Sequence, residues 1–272
     1  MPEPNGSGLT ASGLRADIEA LGIIPGDLVM VHASLRRIGL ASIRGGADLL
    51  LDALDSAVGP NGTLLMTLGT HYPMDWVNER PVAERAALLE GSEPFDHLTA
   101  PAMADVGVLA EVFRRRPGTI VSDNPSGRFG ARGAQAEELL REAPWHDYYG
   151  PGSPLERLCE RGGRILRLGA DPDTVTMLHY AEYLAKLPAK RRTRWGYLLA
   201  GRGHCWVECL NDSDGIAAWD GEDYFAVILK AYLAEGRAAV GSVGNARAEL
   251  IDAADVVRFG ARWMERSLSG GG

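Results

Sequence analysis

Two short apolar runs with a glycine-ended helix between them occupy residues 27–68 of the chain. The runs 27–33 and 63–68 are mostly aliphatic, which is typical of buried strands. Over 46–58 apolar side chains recur at helical spacing, and the turn Gly-Pro-Asn-Gly at 59–62 ends that helix. A strand, a helix and a second, parallel strand form a βαβ unit, in which the helix covers one face of a sheet. The chain is therefore predicted to adopt an α/β fold.

The same pattern of strands and helices continues to the end of the chain. With 272 residues, 46% of them apolar, the chain can bury one large core, and no linker divides the sequence. We predict a single domain over 1–272, a layered αβα fold with a central mixed, partly parallel sheet and frayed ends at 1–9 and 268–272. Helices are predicted at 11–21, 105–116, 134–142, 154–161, 176–186, 220–235 and 252–267, and further strands at 164–169 and 205–210.

One stretch, 69–100, departs from this pattern. It combines glycine, proline, tryptophan and acidic residues, and at most a short helix is predicted at 81–90. Loops of this length inside a compact domain are commonly functional. Its aromatic and acidic side chains, among them Asp75, Trp76 and Asp96, favour a substrate-side binding loop.

Net charge and cysteine content exclude several classes of protein. The formal charge of −8 disfavours binding to the phosphate backbone of nucleic acids and suits a cationic partner. Cys159, Cys205 and Cys209 include no CxxC pair, so neither a disulfide framework nor a metal site is expected. No apolar run approaches the length of a membrane span and the N-terminus lacks a signal peptide, so we expect a cytoplasmic protein without a membrane partner.

The segment 169–182, GADPDTVTMLHYAE, carries the strongest candidate for catalysis. A predicted strand enters a polar loop that turns directly into a helix, so free backbone N–H groups and the hydroxyl of Thr176 gather where the helix begins. Such a helix start suits a thioester carbonyl or an amide-rich ligand. His179 and Glu182 are three residues apart and share one face of the helix. A single helical histidine is more commonly structural, so the motif needs support from elsewhere in the chain.

Two further segments carry candidate ligand-binding residues. The segment 31–46 places His32 and Ser34 just past a predicted strand, where α/β sheets open their ligand crevice. The segment 116–133 contains turn residues followed by Arg128, whose planar guanidinium could clamp a phosphate. On pattern alone, a capped loop and a surface arginine are equally good interpretations.

Together these segments resemble the aminoglycoside 3-N-acetyltransferase family, from about Ile18 to about Gly260. No single shared feature is specific, whereas the set in this order and spacing is. The Arg/Gln-x-x-Gly-x-Gly/Ala loop of the common N-acetyltransferase superfamily does not occur, which implies a fold distinct from that superfamily. The shared features are Pro25-Gly26-Asp27, Val31-His32-Ala33-Ser34-Leu35, Gly45-Gly46, Gly59-Pro60-Asn61-Gly62-Thr63-Leu64, Phe95-Asp96, Pro101, Glu111, Arg114, Pro117-Gly118, Ser122, Pro125, Gly152-Ser153-Pro154-Leu155, Gly169, Leu178-His179 and Ala181-Glu182.

The resemblance implies a direct transfer of an acetyl group from acetyl-CoA to an aminoglycoside amine, the 3-amino group, and hence antibiotic resistance. His179 matches the family's catalytic histidine, a general base that takes a proton from the attacking ammonium. We expect no metal, and a monomer or homodimer. The residues expected on the coenzyme side are His32, Ser34, Leu35, Arg36, Arg128 and Thr176.

The resemblance also implies a carboxylate on the far nitrogen of His179, which would fix its tautomer. The family draws this acid from the segment that corresponds to 208–214, where Asn211 holds the nearest equivalent position. Glu208 and Asp212 are the catalytic candidates there, and the sequence leaves the choice open. A pocket for several ammonium groups needs carboxylates and an aromatic wall, for which we expect Asp75, Asp96, Glu182, Asp212 and Asp214 with Trp76.

Three departures from the family's pattern bear on the substrate. Ala33 and Asn124 stand where the family usually has serine and often histidine, and Asn211 is the third. They leave two alternatives open: an acyltransferase that acts on a different amine in a biosynthetic pathway, and a non-catalytic relative that binds CoA or an antibiotic.

Overall fold

The computed structural model describes residues 8–69 and 72–269. Residues 1–7 and 270–272, which were predicted to be frayed, lie outside the described residues. Positions 70 and 71 of the predicted loop lie outside them as well. At the C-terminal end the prediction is wrong for Leu268, which is buried because it directly follows the last helix and packs into the core.

Strands and helices alternate along the described chain. The strands are β1 (Leu28–Ala33), β2 (Thr63–Thr67), β3 (Ile120–Val121), β4 (Phe129–Gly133), β5 (Arg164–Leu168), β6 (Arg192–Leu199), β7 (Gly203–Leu210), β8 (Ala239–Val243) and β9 (Ala246–Asp252). The helices are α1 (Ala11–Leu21), α2 (Leu35–Ile38), α3 (Gly46–Val58), α4 (Val82–Leu89), α5 (Val108–Arg115), α6 (Ala136–Leu140), α7 (Pro154–Glu160), α8 (Met177–Leu184), α9 (Tyr224–Ala234) and α10 (Ala253–Ser267). Short 3₁₀ helices span Asp75–Glu79 and Ala104–Val106.

A mixed sheet forms the centre of the described fold, with the strand order β3-β4-β2-β1-β5-β9-β8. Strand β1 pairs in parallel with both β2 and β5, so that Met30 lies opposite Leu65 and Ile165. The outer pairs, β2 with β4, β4 with β3, β5 with β9 and β9 with β8, are antiparallel. Strands β6 and β7 form a separate antiparallel hairpin. The predicted mixed, partly parallel sheet is confirmed.

Helices cover both faces of the sheet because successive side chains of each strand point to opposite sides. On β1, Val29 and Val31 pack with α1, α3 and α5, whereas Leu28 and Met30 pack with α6 to α10. The strands are therefore apolar on both faces, as expected for buried parallel strands. This arrangement is the predicted layered αβα fold.

Residues 72–100 pack against the β6–β7 hairpin. The Asn78 side chain accepts a hydrogen bond from the Gly196 backbone N–H at 2.6 Å, and the Phe95 N–H donates to the Leu198 carbonyl at 2.7 Å. Helix α4 lies within the predicted helix 81–90. These contacts fix the segment to the hairpin, with consequences for the residues predicted to bind substrate.

Candidate active site

Two cavities lie side by side at the carboxyl ends of the parallel strands. The first, called the β1 cavity, has a volume of about 670 Å³ and includes Ala33 and Thr67 in its lining. The second, called the acidic cavity, has a volume of about 560 Å³ and contains His179. Asp105, Asp171 and Thr174 line both cavities, so the two share one wall.

The imidazole of His179 lies in the first turn of α8, at the edge of the acidic cavity. Its Nδ1–H donates a hydrogen bond to Glu182 Oε2 at 2.8 Å. The ring stacks on Tyr149, with centroids 4.9 Å apart and planes inclined by 9°, and Phe225 meets it edge-on at 4.8 Å. The side chain keeps 19% of its surface exposed. Two aromatic rings and a carboxylate therefore fix its orientation.

Glu182 provides the carboxylate that faces His179. Its side chain is only 1% exposed, and its second oxygen accepts a hydrogen bond from the Tyr224 hydroxyl. Burial lowers the pKa of His179, but the charge and the hydrogen bond of Glu182, together with the charges of Asp212 and Asp223, raise it by more, so the pKa lies above its usual value of 6.5. Burial, reinforced by Glu182, raises the pKa of Tyr224, which keeps its hydroxyl a proton donor.

This geometry corrects the predicted source of the supporting acid. The carboxylate on His179 Nδ1 comes from the next turn of its own helix, and Glu182, which was predicted as a substrate contact, also lines the acidic cavity. Glu208 lies outside both cavities: it is 51% exposed and pairs with Arg194 at 3.5 Å, on the β6–β7 hairpin. Asp212 does line the acidic cavity, where its carboxylate accepts from the buried Tyr148 hydroxyl.

Carboxylates dominate the lining of the acidic cavity. Within the described chain no lysine or arginine lines it, and Trp219 adds an aromatic surface. Asp214, predicted to bind substrate, is part of this lining and accepts from the Asn211 amide at 3.3 Å. The field of this cavity therefore favours cations. The seven carboxylates are those of Asp105, Asp171, Asp173, Glu182, Asp212, Asp214 and Asp223.

The predicted coenzyme residues of the first strand and the late helix meet in the β1 cavity, whose lining includes His32, Ser34, Leu35, Arg36 and Thr176. Ser34 caps α2, with its hydroxyl accepting from the Arg37 N–H. Burial, reinforced by the charge of Arg167, lowers the pKa of His32 to about 3, so its ring is neutral. Its Nε2 has no hydrogen-bond partner among the described residues.

Arg128 does not join this group. Its side chain is 0% exposed, and it donates to the carbonyl oxygens of Ala100 at 2.9 Å and Pro101 at 2.7 Å. Its guanidinium also lies 5.8 Å from the centre of the Phe95 ring. Burial lowers its pKa to about 10. Arg128 thus anchors the backbone near residue 100, and its predicted contact with a coenzyme phosphate is corrected.

The residues predicted from 69–100 lie away from the acidic cavity. Asp75 and Trp76 belong to the 3₁₀ helix that packs on the β6–β7 hairpin, and Trp76 faces the guanidinium of Arg80 at 5.8 Å. Asp96 accepts from the Leu98 N–H at 2.9 Å. None of the three is part of the described lining of either cavity. The segment is fixed to the hairpin, so the predicted substrate-side loop does not form the wall of the acidic cavity.

Several residues of the two cavities were not predicted from the sequence. Asp171 and Asp173 lie within the GADPDT loop, whose position before α8 is a usable signal. Asp223 caps α9 with hydrogen bonds to the Phe225 and Ala226 N–H groups. Asp105 and Trp219 come from segments whose sequence carries no signal for a site. Only the fold brings these four elements to one cavity.

Comparison with known proteins identifies the family. The family model of aminoglycoside 3-N-acetyltransferases matches residues 30–265. The chain belongs to the aminoglycoside 3-N-acetyltransferase family. An aminoglycoside N(3)-acetyltransferase VIII of Streptomyces fradiae is 38% identical over 277 residues, covering 98% of this chain and 96% of the relative.

Solved structures agree with this membership of the aminoglycoside 3-N-acetyltransferases. The fold matches AAC-IIIb in its binary complex with CoASH at a TM-score of 0.88 and 38% identity, covering 97% of this chain and 99% of the other. It also matches sisomicin-bound AAC-VIa, solved by neutron and X-ray diffraction at room temperature, at a TM-score of 0.86 and 36% identity, covering 96% and 99%.

Two findings bear on other functions. Among residues 8–69 and 72–269, no helix has the length and apolar character needed to cross a membrane. In the same residues no cluster of three or more His, Cys, Asp or Glu side chains could hold a metal ion.

Proposed function

We propose that this protein transfers the acetyl group of acetyl-CoA directly to the 3-amino group of an aminoglycoside, with His179 as the general base. The observation that carries the proposal is the His179–Glu182 pair in a carboxylate-lined cavity that shares a wall with the β1 cavity. Two cavities with a common wall allow both substrates to be bound at once. Direct transfer requires such a ternary complex.

The β1 cavity suits the coenzyme. It opens past the end of β1, where α/β folds bind ligands, and combines apolar walls with the polar groups of Ser34 and Thr176. The ring of His32 is neutral and therefore adds no charge to this cavity. A structural relative is described as a complex with CoASH. Acetyl-CoA supplies the activated thioester, and these residues hold it against the shared wall.

The acidic cavity suits the amine. Its carboxylates other than Glu182, whose oxygens accept from His179 and Tyr224, can pair with ammonium groups. Unit charges about 4 Å apart attract by about 4 kcal/mol at an effective dielectric constant of about 20. Asp212 and Asp214 line this cavity together with Trp219, whose aromatic surface can pack against a sugar ring. Two structural relatives are described as complexes with sisomicin. A molecule with several amines fits this cavity better than one with a single amine.

The reaction needs a base because an ammonium has no lone pair for attack. Nδ1 of His179 is committed to Glu182, which leaves Nε2 to take the proton from the substrate. The amine nitrogen then bonds to the acetyl carbon, and the carbon–sulfur bond breaks. The second proton that the nitrogen loses as the amide forms goes to the thiolate, which leaves as free thiol, and the imidazolium releases its proton to solvent. Glu182 stabilises the imidazolium that forms in this step. A base in this position contributes about 10²–10⁴-fold, and holding both substrates at reacting distance contributes more.

The test is thiol release from acetyl-CoA in the presence of a panel of aminoglycosides and of simple monoamines. We expect release with the aminoglycosides, and mass spectrometry of the products locates the acetyl group. Silence across the panel would refute the proposed activity, and transfer to monoamines alone would refute the substrate class.

A substitution tests the base. His179→Ala should lower kcat by about 10²–10⁴-fold with little change in the dissociation constant of CoA, because the imidazole lies in the acidic cavity. His204→Ala, at an exposed position on the β6–β7 hairpin, is the matched control. A His179→Ala variant as fast as the wild type means that another group is the base.

A further inference from the structure

A buried ion pair lies beneath the wall that the two cavities share. Arg167 on β5 and Glu249 on β9 are direct neighbours in the sheet, with side chains only 2% and 9% exposed. Arg167 Nη1 donates to Glu249 Oε2 at 2.8 Å. Neither Arg167 nor Glu249 is part of the lining of the acidic cavity. The pair therefore has no direct part in the proposed chemistry.

The second arm of the Arg167 guanidinium holds the wall itself, which we define as residues 169–174. Arg167 Nη2 donates to the carbonyl oxygens of Ala170 at 3.1 Å and Asp171 at 2.6 Å. Arg37 Nη1 in turn donates to the Gly169 carbonyl at 2.6 Å. Three successive carbonyl groups of the wall are thus fixed by two arginines.

The position of this wall affects both cavities. Ala170 and Asp171 line the β1 cavity, and Asp171, Asp173 and Thr174 line the acidic cavity. Helix α8, which carries His179, begins three residues after the wall ends. A displacement of the wall would therefore change the distance between the coenzyme, the amine and the base. Misplacement of reacting groups by about 1 Å can cost about 100-fold in rate.

Stability alone does not account for this pair. Desolvation of two buried charges costs several kcal/mol, and well-packed apolar residues in place of a buried ion pair commonly give an equally stable or more stable fold. Apolar residues cannot, however, donate hydrogen bonds to carbonyl groups. Fold stability and wall position can therefore be separated by mutation.

We infer that Arg167, oriented by Glu249, is a positioning residue that fixes the wall between the coenzyme and amine cavities. This inference rests on the proposed function, in which both cavities are filled at once. Arg167 acts through the backbone of Ala170 and Asp171 and touches neither substrate.

The double variant Arg167→Met, Glu249→Met tests the inference. We expect it to unfold at or above the wild-type midpoint, while kcat/KM falls by about tenfold or more and the KM values of both substrates rise. The CoA dissociation constant, measured by calorimetry far below the unfolding midpoint, should also rise. A stable double variant with wild-type kinetics and CoA affinity would overturn the inference.

A conservative variant keeps the test decisive if the double variant does not fold. Arg167→Lys retains the charge opposite Glu249 but has no second arm for the two carbonyls, so it should fold and show the same kinetic loss. Wild-type kinetics in Arg167→Lys would equally overturn the inference.

The matched control lies at the other end of the same strand. Arg164 donates to the Gly22 carbonyl at 2.8 Å and pairs with Asp27, away from both cavities. Arg164→Lys should leave kcat/KM within about twofold of the wild type, and a loss equal to that of Arg167→Lys would overturn the inference. Measurements on the wild-type protein separate the two proposals. Absence of turnover in the wild type refutes the proposed function, whereas the CoA dissociation constant of the Arg167 variants, compared with that of the wild type, still tests the position of the wall.

Discussion

Replacing Glu182 by glutamine tests the electrostatic coupling at the centre of the site. The change preserves the shape of a side chain that is almost fully buried, and its amide oxygen can accept from only one of His179 and Tyr224. The negative charge that raises the pKa of His179 is lost, whereas burial, which lowers it, remains. The imidazolium formed during transfer therefore loses its counter-ion.

The expected loss follows from the energy of a hydrogen bond to a charged group, about 1.5–3 kcal/mol. At about 1.4 kcal/mol per factor of ten, kcat should fall by roughly 10-fold to 100-fold. A base acts only when neutral, so wild-type kcat/KM should rise with pH through a pKa above 6.5. In Glu182→Gln this acidic limb should move to lower pH, because the two effects of Glu182 that raise the pKa of His179 are lost while burial still lowers it and only the charges of Asp212 and Asp223 still raise it.

The assay is thiol release followed from about pH 5 to about pH 9 with one aminoglycoside at varied concentration. Glu208→Gln is the matched control, since Glu208 is exposed and pairs with Arg194 outside both cavities. It should keep the wild-type rate and pH profile. An unchanged acidic limb in Glu182→Gln, or a shifted one in Glu208→Gln, would refute the assignment of Glu182 as the partner of His179.

Two other substitutions separate the cavities from the scaffold. Asp212→Asn should raise the KM of a polycationic amine by roughly tenfold, and by more at low salt. The KM of acetyl-CoA should stay unchanged, because Asp212 lines only the acidic cavity. An equal rise in both KM values contradicts this prediction. Arg128→Leu leaves the carbonyls of Ala100 and Pro101 without their donor and should cost about 1–3 kcal/mol of stability, seen as a lower Tm, with an unchanged KM for acetyl-CoA. A raised KM at constant Tm would restore the predicted phosphate contact.

Local patterns predicted most of the helices and the parallel centre of the sheet. Strands β1, β2 and β5 are apolar on both faces, so their sequences carry a strong signal. Strands β3 and β4 were missed because their residues do not form such runs: β3 has two residues, and β4 contains Gly130, Arg132 and Gly133 within five positions. Strand β4 is held by pairing with β2, which is distant in sequence, and local periodicity does not report such pairing.

The sequence by itself determined the α/β fold, the family, and the place of His179 and Glu182 on one helical face, because helix geometry relates residues three apart. Only the tertiary structure decided which carboxylate contacts the imidazole, which acids line its cavity, and that Arg128 and the segment 69–100 belong to the scaffold. Asp105, Asp171, Asp212 and Asp223 come from four separate segments. Their proximity results from the packing of loops at one edge of the sheet, and no spacing along the chain encodes it.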